Sequence, residues 1–216
     1  MRYNSTNSTM LIDYSIALLN AVKHKQRSER VRIQNILAAT ALDIAYEELI
    51  TDQERIVFWS NIYNAYFQIN AVKAGLDLSN ARKNFFRGKH IRILSIALSL
   101  DDIEHLILRR SKVKMGLGFV PRLITTPWEK ALRVNRLDYR IHFVLNCGAV
   151  SCPVIYPLNI ENFEQDLNAA TYDYLWQEVN VNVADKRIVL NRLFLFYLAD
   201  FGRGKGLKRI LIRYGL

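Results

Sequence analysis

The chain has few of the residues that mark secreted, membrane-spanning or loop-rich proteins. Two cysteines, four prolines and nine glycines stand among its 216 residues. So few cysteines do not make a secreted disulfide scaffold, and we expect reduced thiols in the cytoplasm. No apolar run reaches the roughly 18 residues of a membrane-spanning helix. Residues 1–9 also lack the basic-then-apolar order of a secretory leader, so we expect a cytoplasmic protein without a transmembrane segment.

Acidic residues are scarce relative to basic ones. The chain has 30 Lys and Arg against 20 Asp and Glu, which gives a net charge of +10 at pH 7. Such a charge attracts anionic partners, and an acidic protein, a peptide, a nucleic acid or another anionic ligand all fit it. The basic residues are spread over three groups, and no nucleic-acid-binding motif accompanies them. A generally basic surface and a specific anionic partner are both open.

The hydrophobic pattern predicts one helix-rich α+β domain with a single core. Helical periodicity indicates two helices in residues 1–50 that pack on a core domain formed by residues 51–216. A long helix follows over 52–74, because Thr51 and Glu54 have the spacing of a capping box and Gly75 is a natural helix terminator. A short helix over 100–110 has acids in its first turn and bases in its last, as the helix dipole favours.

Three segments predict a small antiparallel sheet. Residues 90–98 and 140–145 are rich in apolar and β-branched side chains, which favours strands. Residues 179–190 alternate apolar and polar side chains around a turn, which indicates a hairpin. We expect the helices to pack on this sheet.

Neutral amides interrupt the apolar surface of the long helix. Asn61 and Asn64 lie on one face of it, among aromatic side chains where a solvated face would carry charges. Buried amides either satisfy a neighbouring loop or bind a ligand. Both roles are open: a structural hydrogen bond and the polar wall of a cleft.

A histidine with nearby acids forms the second candidate. Asp101 and Asp102 precede His105 by four and three residues in the predicted short helix, so either carboxylate could orient the imidazole. An oriented imidazole suits a general base, and we assign the orienting role to Asp102. The alternative is that both acids only stabilise the start of the helix.

The third candidate is Cys147, where the predicted strand over 140–145 gives way to Gly148. A catalytic thiol needs a neighbouring imidazole or cation that lowers its pKa. His142 lies close in sequence, but five positions on a strand place the two side chains on opposite faces, which favours His105 as the partner. The alternative is that Cys147 is a small buried apolar side chain. The spacing of His142, Cys147 and Cys152 is not that of a zinc site, and we expect no metal and no cofactor.

Four segments resemble one family, the domain-of-unknown-function 547 family. The first is the helix at 58–65, with the pattern Phe-Trp-x-Asn-x-Tyr-Asn-Ala, and the second is the segment 99–109, which begins Ser-Leu-Asp-Asp-Ile-Glu-His and ends at Arg109. The third is the segment 138–153, which ends Asn-Cys-Gly-Ala-x-Ser-Cys-Pro, and the fourth is Tyr-x-x-Asp-Phe at 197–201. The chain departs from the family pattern at Tyr139 and Val144, and neither change removes a candidate reactive group. The resemblance implies a shared fold and no established reaction.

A looser likeness links the chain to papain- and transglutaminase-like thiol enzymes. These pair a cysteine at a helix start with a histidine on an antiparallel strand. On that likeness His142 corresponds to the strand histidine, and Asn61 or Asn64 lies where the cysteine is expected. An analogy of fold is a weak warrant for function.

The leading functional hypothesis is a thiol-dependent acyl-transfer enzyme acting on an amide or ester. Its cleft combines Asn61, Asn64, His105, His142 and Cys147, with main-chain amides near Gly148 as oxyanion donors. One alternative is a non-catalytic binding or scaffold module. Another is a protein that binds nucleic acid or a different anionic partner through its basic surface.

Overall fold

A computed structural model describes residues 9–74, 84–146, 148 and 155–216. Its architecture is helix-rich α+β with short antiparallel strands, as the hydrophobic pattern predicts. The chain forms two compact units, one of Met1–Leu100 with Pro157–Phe163 and one of Asp101–Tyr156 with Glu164–Leu216. The division of the sequence at residue 50 stays a prediction.

Among its described residues the first unit includes the helices α1 (Met10–Lys23), α2 (Arg27–Ala39), α3 (Leu42–Glu48) and α4 (Asp52–Ala74). The bounds of α4 agree with the predicted helix. The predicted capping box is confirmed, since the Thr51 N–H donates to Glu54 Oε2 over 2.7 Å and the Glu54 N–H donates to Thr51 Oγ1 over 3.2 Å. Helix α1 packs on α4 and α2. The prediction of two helices before residue 51 missed α3.

Residues 90–98 form a tight hairpin in place of the predicted single strand. Strands β1 (Ile91–Ile93) and β2 (Ile96–Leu98) pair antiparallel. Leu94 and Ser95 turn the chain between them with φ of 52° and 59°, a conformation that sequence rules associate with Gly and Asn. Their N–H groups donate to Leu37 and Ala38 carbonyl oxygens at the end of α2, so tertiary hydrogen bonds hold a turn that local preference disfavours.

The second unit combines short helical segments around an aromatic core. In chain order these are a π-helix (Asp102–Leu108), α5 (Pro127–Leu132), a 3-10 helix (Tyr139–Phe143), α6 (Phe163–Glu178), the paired strands β3 (Asn180–Asn182) and β4 (Arg187–Val189), α7 (Arg192–Phe196) and α8 (Arg203–Arg213). The predicted hairpin over 179–190 is therefore confirmed. Phe143, Phe194 and Phe201 meet in the core, with ring centroids 5.1 to 6.2 Å apart.

The predicted strand over 140–145 is wrong, because Tyr139–Phe143 is a 3-10 helix. Asp138 explains the change. Its carboxylate accepts the Arg140 N–H over 2.9 Å and its carbonyl oxygen accepts the Ile141 N–H, which winds the chain into a turn despite its apolar composition. The argument that strand alternation separates His142 from Cys147 consequently no longer applies.

The described strands form two separate two-stranded pairs, β1 with β2 and β3 with β4, and not one sheet of three segments. The predicted short helix over 100–110 is helical, although most of it has π geometry. Across the described residues, no helix combines the length and the apolar character needed to cross a membrane.

Candidate functional site

A buried carboxylate organises the polar interior of the second unit. Asp200 follows α7, and its side chain is fully buried. Oδ2 accepts hydrogen bonds from Arg109 Nε over 2.6 Å and from His142 Nε2 over 3.0 Å. Oδ1 accepts one from Lys112 Nζ over 2.6 Å. Three donors therefore converge on one carboxylate.

These bonds set the protonation states of Asp200 and His142. Burial raises the pKa of Asp200, but the hydrogen bonds from His142 and Arg109 outweigh it and leave the pKa below its ordinary value. Burial lowers the pKa of His142 more strongly than Asp200 raises it. Asp200 is thus ionised and His142 is neutral near pH 7. Because an ionised carboxylate only accepts, His142 Nε2 carries the proton and Nδ1 is the basic atom of the ring.

A second histidine lies in the same network, held by Arg109. Arg109 Nη1 donates to His105 Nδ1 over 3.0 Å. Burial lowers the pKa of His105 against the opposing effect of Glu104, so the imidazole is neutral. Since Nδ1 accepts a bond from a guanidinium, the neutral ring carries its proton on Nε2. His105 is therefore arranged as a hydrogen-bond donor and His142 as a base.

Tyr197 joins the two histidines to Glu104. Its hydroxyl donates to Glu104 Oε1 over 2.6 Å. Its ring stacks on the His142 ring at 4.0 Å between centroids, and the Arg109 guanidinium lies 4.5 Å from its centroid. Burial raises the pKa of Glu104, but His105 and the Tyr197 hydroxyl outweigh it and leave a net lowering. The cluster holds two carboxylates, Glu104 and Asp200, against Arg109 and Lys112.

Two buried nitrogen atoms in this cluster find no hydrogen-bond partner among the described residues. They are His105 Nε2 and Arg109 Nη2. The Arg109 side chain is fully buried, and leaving a buried donor unpaired costs about 1–3 kcal/mol. A buried polar atom without a partner needs an explanation, and a role in binding or catalysis is one of them.

The local backbone explains how these side chains meet. The π-helix closes with Arg109 N–H donating to the Glu104 carbonyl oxygen, five residues back. π-Helical turns are rare and frequently accompany functional sites. Gly118, with φ of +79°, lies so close to the pair that an added Cβ would be 2.7 Å from Asp200 Oδ1 and 3.3 Å from Arg109 Nη2. Only glycine allows this approach.

The structure places the predicted site residues in both units. His105, His142, Asp102 and Gly148 belong to the second unit, and Asn61 and Asn64 belong to the first. The two histidines share the Asp200 and Arg109 network. The carboxylates found next to His105 are those of Glu104 at 3.4 Å and Asp101 at 3.8 Å. Cys147 and Cys152 lie outside the described residues.

Asn61 makes structural hydrogen bonds in the first unit. Its Oδ1 accepts the Leu158 N–H and its Nδ2 donates to the Leu158 carbonyl oxygen, both over 2.9 Å. Nδ2 also lies 3.2 Å from Ser15 Oγ. The amide therefore fixes the segment 157–163 on α4, one of the two roles that its position among aromatic residues suggests. Asn64 is buried on the same helix.

Gly148, the predicted oxyanion donor, is exposed, and its N–H donates to Asn146 Oδ1 over 2.9 Å. That amide would have to leave Asn146 before it could stabilise an oxyanion.

Reasoning from sequence missed four members of the buried cluster as site residues: Glu104, Arg109, Tyr197 and Asp200. All four fall inside the motifs that resemble the family. Arg109 ends a short apolar run and is followed by Arg110, so the local sequence does not distinguish it from a solvated basic residue. Arg109 reaches His105 four positions away, but the bonds that Asp200 and Tyr197 make to Arg109, His142 and Glu104 span 58 to 93 positions, and no local pattern encodes them.

The first unit also contains a cavity of about 730 Å³. Residues from α2, α4 and the segment 84–92 line it, including Gln34, Tyr66, Asn84 and Arg92. None of the predicted site residues lines this cavity. Among the residues that the structure describes, no group of three or more His, Cys, Asp and Glu side chains could hold a metal ion.

Comparison with known proteins gives a family and nothing finer. No curated protein and no solved structure matches the chain. The likeness to papain- and transglutaminase-like enzymes accordingly stays a prediction. The family model described as "Protein of unknown function, DUF547" matches residues 47–175, which is 129 of the 216 residues. Tyr197 and Asp200 follow the matched range, yet they contact residues within it. The chain belongs to the DUF547 family.

Proposed function

We propose that this protein is a cysteine-dependent acyl-transfer enzyme that acts on an amide or ester, with His142 as its general base. The observation that carries the proposal is the hydrogen bond of 3.0 Å between His142 Nε2 and the buried Asp200 carboxylate. Catalysis by a thiol nucleophile needs a base that removes the thiol proton, and an imidazole oriented by a carboxylate is such a base. The carboxylate fixes the tautomer that leaves Nδ1 basic.

Cys147 is the proposed nucleophile. It follows His142 by five residues in a chain that has two cysteines in total. In the first step Nδ1 of His142 takes the thiol proton and the thiolate adds to the substrate carbonyl carbon. In the second, the imidazolium gives that proton to the leaving amine or alcohol, and a thioester to Cys147 remains. Water then cleaves the thioester, again with His142 as base.

His105 fits a different role in this proposal from the one that its sequence suggests. With Nδ1 occupied by Arg109, the ring offers an Nε2–H donor and no basic atom. We therefore assign the base to His142, and to His105 a donor that orients substrate or stabilises developing negative charge. The positively charged Arg109 between the two rings adds to that stabilisation.

The test is the pH dependence of alkylation at Cys147 by iodoacetamide, measured in a Cys152→Ser background so that one thiol reports. The expected labelling midpoint lies well below the ordinary cysteine pKa of about 8.5. Because His142→Gln removes the base, it should move the midpoint toward that ordinary value, whereas His105→Gln should move it less. Circular dichroism shows whether each variant folds. The proposal is contradicted if Cys147 of the folded parent is labelled with a midpoint near the ordinary cysteine pKa. It is also contradicted if labelling is only as fast as unfolding of the protein.

A non-catalytic binding module is the second candidate, and a specific observation favours it. The side chains of Arg109 and Asp200 are fully buried, and Lys112 completes the pairing of the carboxylate. A buried ion pair can serve conformational specificity alone. The labelling experiment separates the two candidates, since this module predicts an unreactive thiol. In either case the small number of cysteines, which we expect to be reduced, and the net charge of +10 support a proposal of a cytoplasmic protein with an anionic partner.

A further inference from the structure

We propose that the second unit carries a docking surface for anionic lipid membranes, centred on an exposed apolar loop over residues 115–124. The loop begins beside Lys112, which pairs with Pro121 across it, and the Arg122 N–H returns to the Ser111 carbonyl oxygen. These contacts therefore hold the two ends of the loop together.

The loop exposes large apolar side chains to an unusual degree. Leu123 is 93% exposed, Ile124 80% and Met115 79%, and Leu117, Phe119 and Val120 are 39 to 47% exposed. Six large apolar residues are exposed within ten positions, and such a concentration of exposed apolar side chains is unfavourable in water and marks an interaction site. Scattered single apolar residues would need no explanation.

The charge around the loop indicates what covers it. Two basic stretches adjoin the loop. No acidic residue occurs between Glu104 and Glu129, but Arg109 is buried against Asp200, and Lys112, Lys114 and Arg122 pair with Asp200, Asp101 and Glu129, so carboxylates offset most of the positive charge of this stretch. The stretch after Asp200 has five basic residues and no acidic one, and it supplies the excess positive charge. The structure joins the two stretches, since the Ala199 N–H donates to the Leu117 carbonyl oxygen and the Arg203 guanidinium lies 5.1 Å from the centroid of the Phe119 ring. The basic residues after Asp200 thus lie beside the exposed apolar loop.

Helix α8 continues this pattern. Its inner face buries Leu207, Ile210 and Leu211. Its outer positions carry exposed Lys205, Lys208 and Arg209, together with Ile212 at 62% exposure. Basic residues beside exposed apolar side chains are the composition of a membrane-surface element, because the cations contact lipid phosphates while the apolar groups enter the acyl region.

The apolar side chains favour a membrane over a nucleic acid. Binding to single strands relies on aromatic rings that stack on bases, and five of the six exposed apolar residues of the loop are aliphatic. The free energy falls when aliphatic side chains leave water. The acyl region of a bilayer can bury them, whereas a phosphate backbone cannot.

The experiment is co-sedimentation of the full chain with vesicles of phosphatidylcholine alone, or with one quarter phosphatidylglycerol. We expect binding to the anionic vesicles at least about tenfold tighter than to the neutral ones. Leu123→Asn with Ile124→Asn should weaken binding to the anionic vesicles by about tenfold or more. The matched control is Val72→Asn with Val183→Asn, two side chains that are each 82% exposed outside the loop, and it should bind like the parent.

Three outcomes would overturn the proposal. One is equal sedimentation with neutral and anionic vesicles, and another is parental binding by the Leu123 and Ile124 variant. The third is tight binding to a labelled single-stranded oligonucleotide without sedimentation on vesicles, which would assign the basic surface to nucleic acid. All substituted side chains are exposed, so circular dichroism should show an unchanged fold.

Discussion

At the scale of single residues, the second unit depends on side chains whose burial is unusual for their chemistry. Arg109 and Asp200 are fully buried, and His105 and His142 are 4% and 5% exposed. Buried ionisable groups of this kind persist only when their partners satisfy them, and removing one partner of a buried pair typically costs about 3–5 kcal/mol. From the contacts of these residues we can therefore predict how substitutions and pH change the free energy of unfolding.

Gly118→Ala should destabilise the protein. Alanine at a φ of +79° costs about 1–2 kcal/mol, and the added Cβ would displace the Asp200 carboxylate that it meets at 2.7 Å. We expect the free energy of unfolding to fall by about 2 kcal/mol or more in urea titrations.

Gly204→Ala is the matched control, because it lies in α8 with nothing within 4 Å of the added Cβ. It should leave stability unchanged or raise it by up to about 1 kcal/mol. Equal effects of the two substitutions would refute the close approach at Gly118.

Stability should fall as the pH drops below about 6.5, the ordinary histidine value. His105 and His142 have folded-state pKa values below that of the unfolded chain, so the unfolded chain takes up protons first as the pH falls. For each histidine, the free energy of unfolding falls by up to about 1.4 kcal/mol per unit of decreasing pH, over the range between the pKa of the folded state and that of the unfolded chain. Urea titrations at a series of pH values from about 7.5 to about 5 measure this loss.

Replacing a buried histidine should flatten that pH profile. His105→Gln or His142→Gln removes one of the two proton-linked groups, whereas His24→Gln alters an exposed ring and should leave the slope unchanged. A parent profile that is flat across this window would show that the two rings are not buried in neutral form.

At the scale of elements, helix α4 holds the segment 157–163 through one amide. Asn61→Ala should lower the free energy of unfolding by about 2–4 kcal/mol, because it leaves the buried N–H and carbonyl groups of Leu158 without their partner. Gln53→Ala removes a single, partly buried bond to Ile160 in the same segment and should cost about 1 kcal/mol or less. Chemical denaturation of both variants measures the difference. Equal losses would mean that Asn61 contributes no more than an ordinary partly exposed bond.

Elements also show where local sequence preference succeeds and fails. Helix α4 follows its capping box and the long apolar run after it, both of which are local. The segment 140–145 has strand-like composition and becomes a 3-10 helix, because Asp138 binds the backbone that follows it. The turn at Leu94 and Ser95 depends on carbonyl groups at the end of α2. Strand and turn preferences of about 1 kcal/mol or less fail where a specific hydrogen bond outweighs them, a local one from Asp138 in the first case and a long-range one from α2 in the second.

At the scale of the whole molecule, the sequence by itself determined the family, the helix-rich class and the basic charge, since composition, periodicity and motif are properties of neighbouring residues. It also identified His105 and His142 as candidates. Only the tertiary structure decided that both histidines lie in one network and that Arg109 and Asp200 connect them. Arg109 and Asp200 are 91 positions apart in sequence, and their pairing follows from how the core of the second unit packs. That packing is a collective property of the folded chain, which no local pattern records.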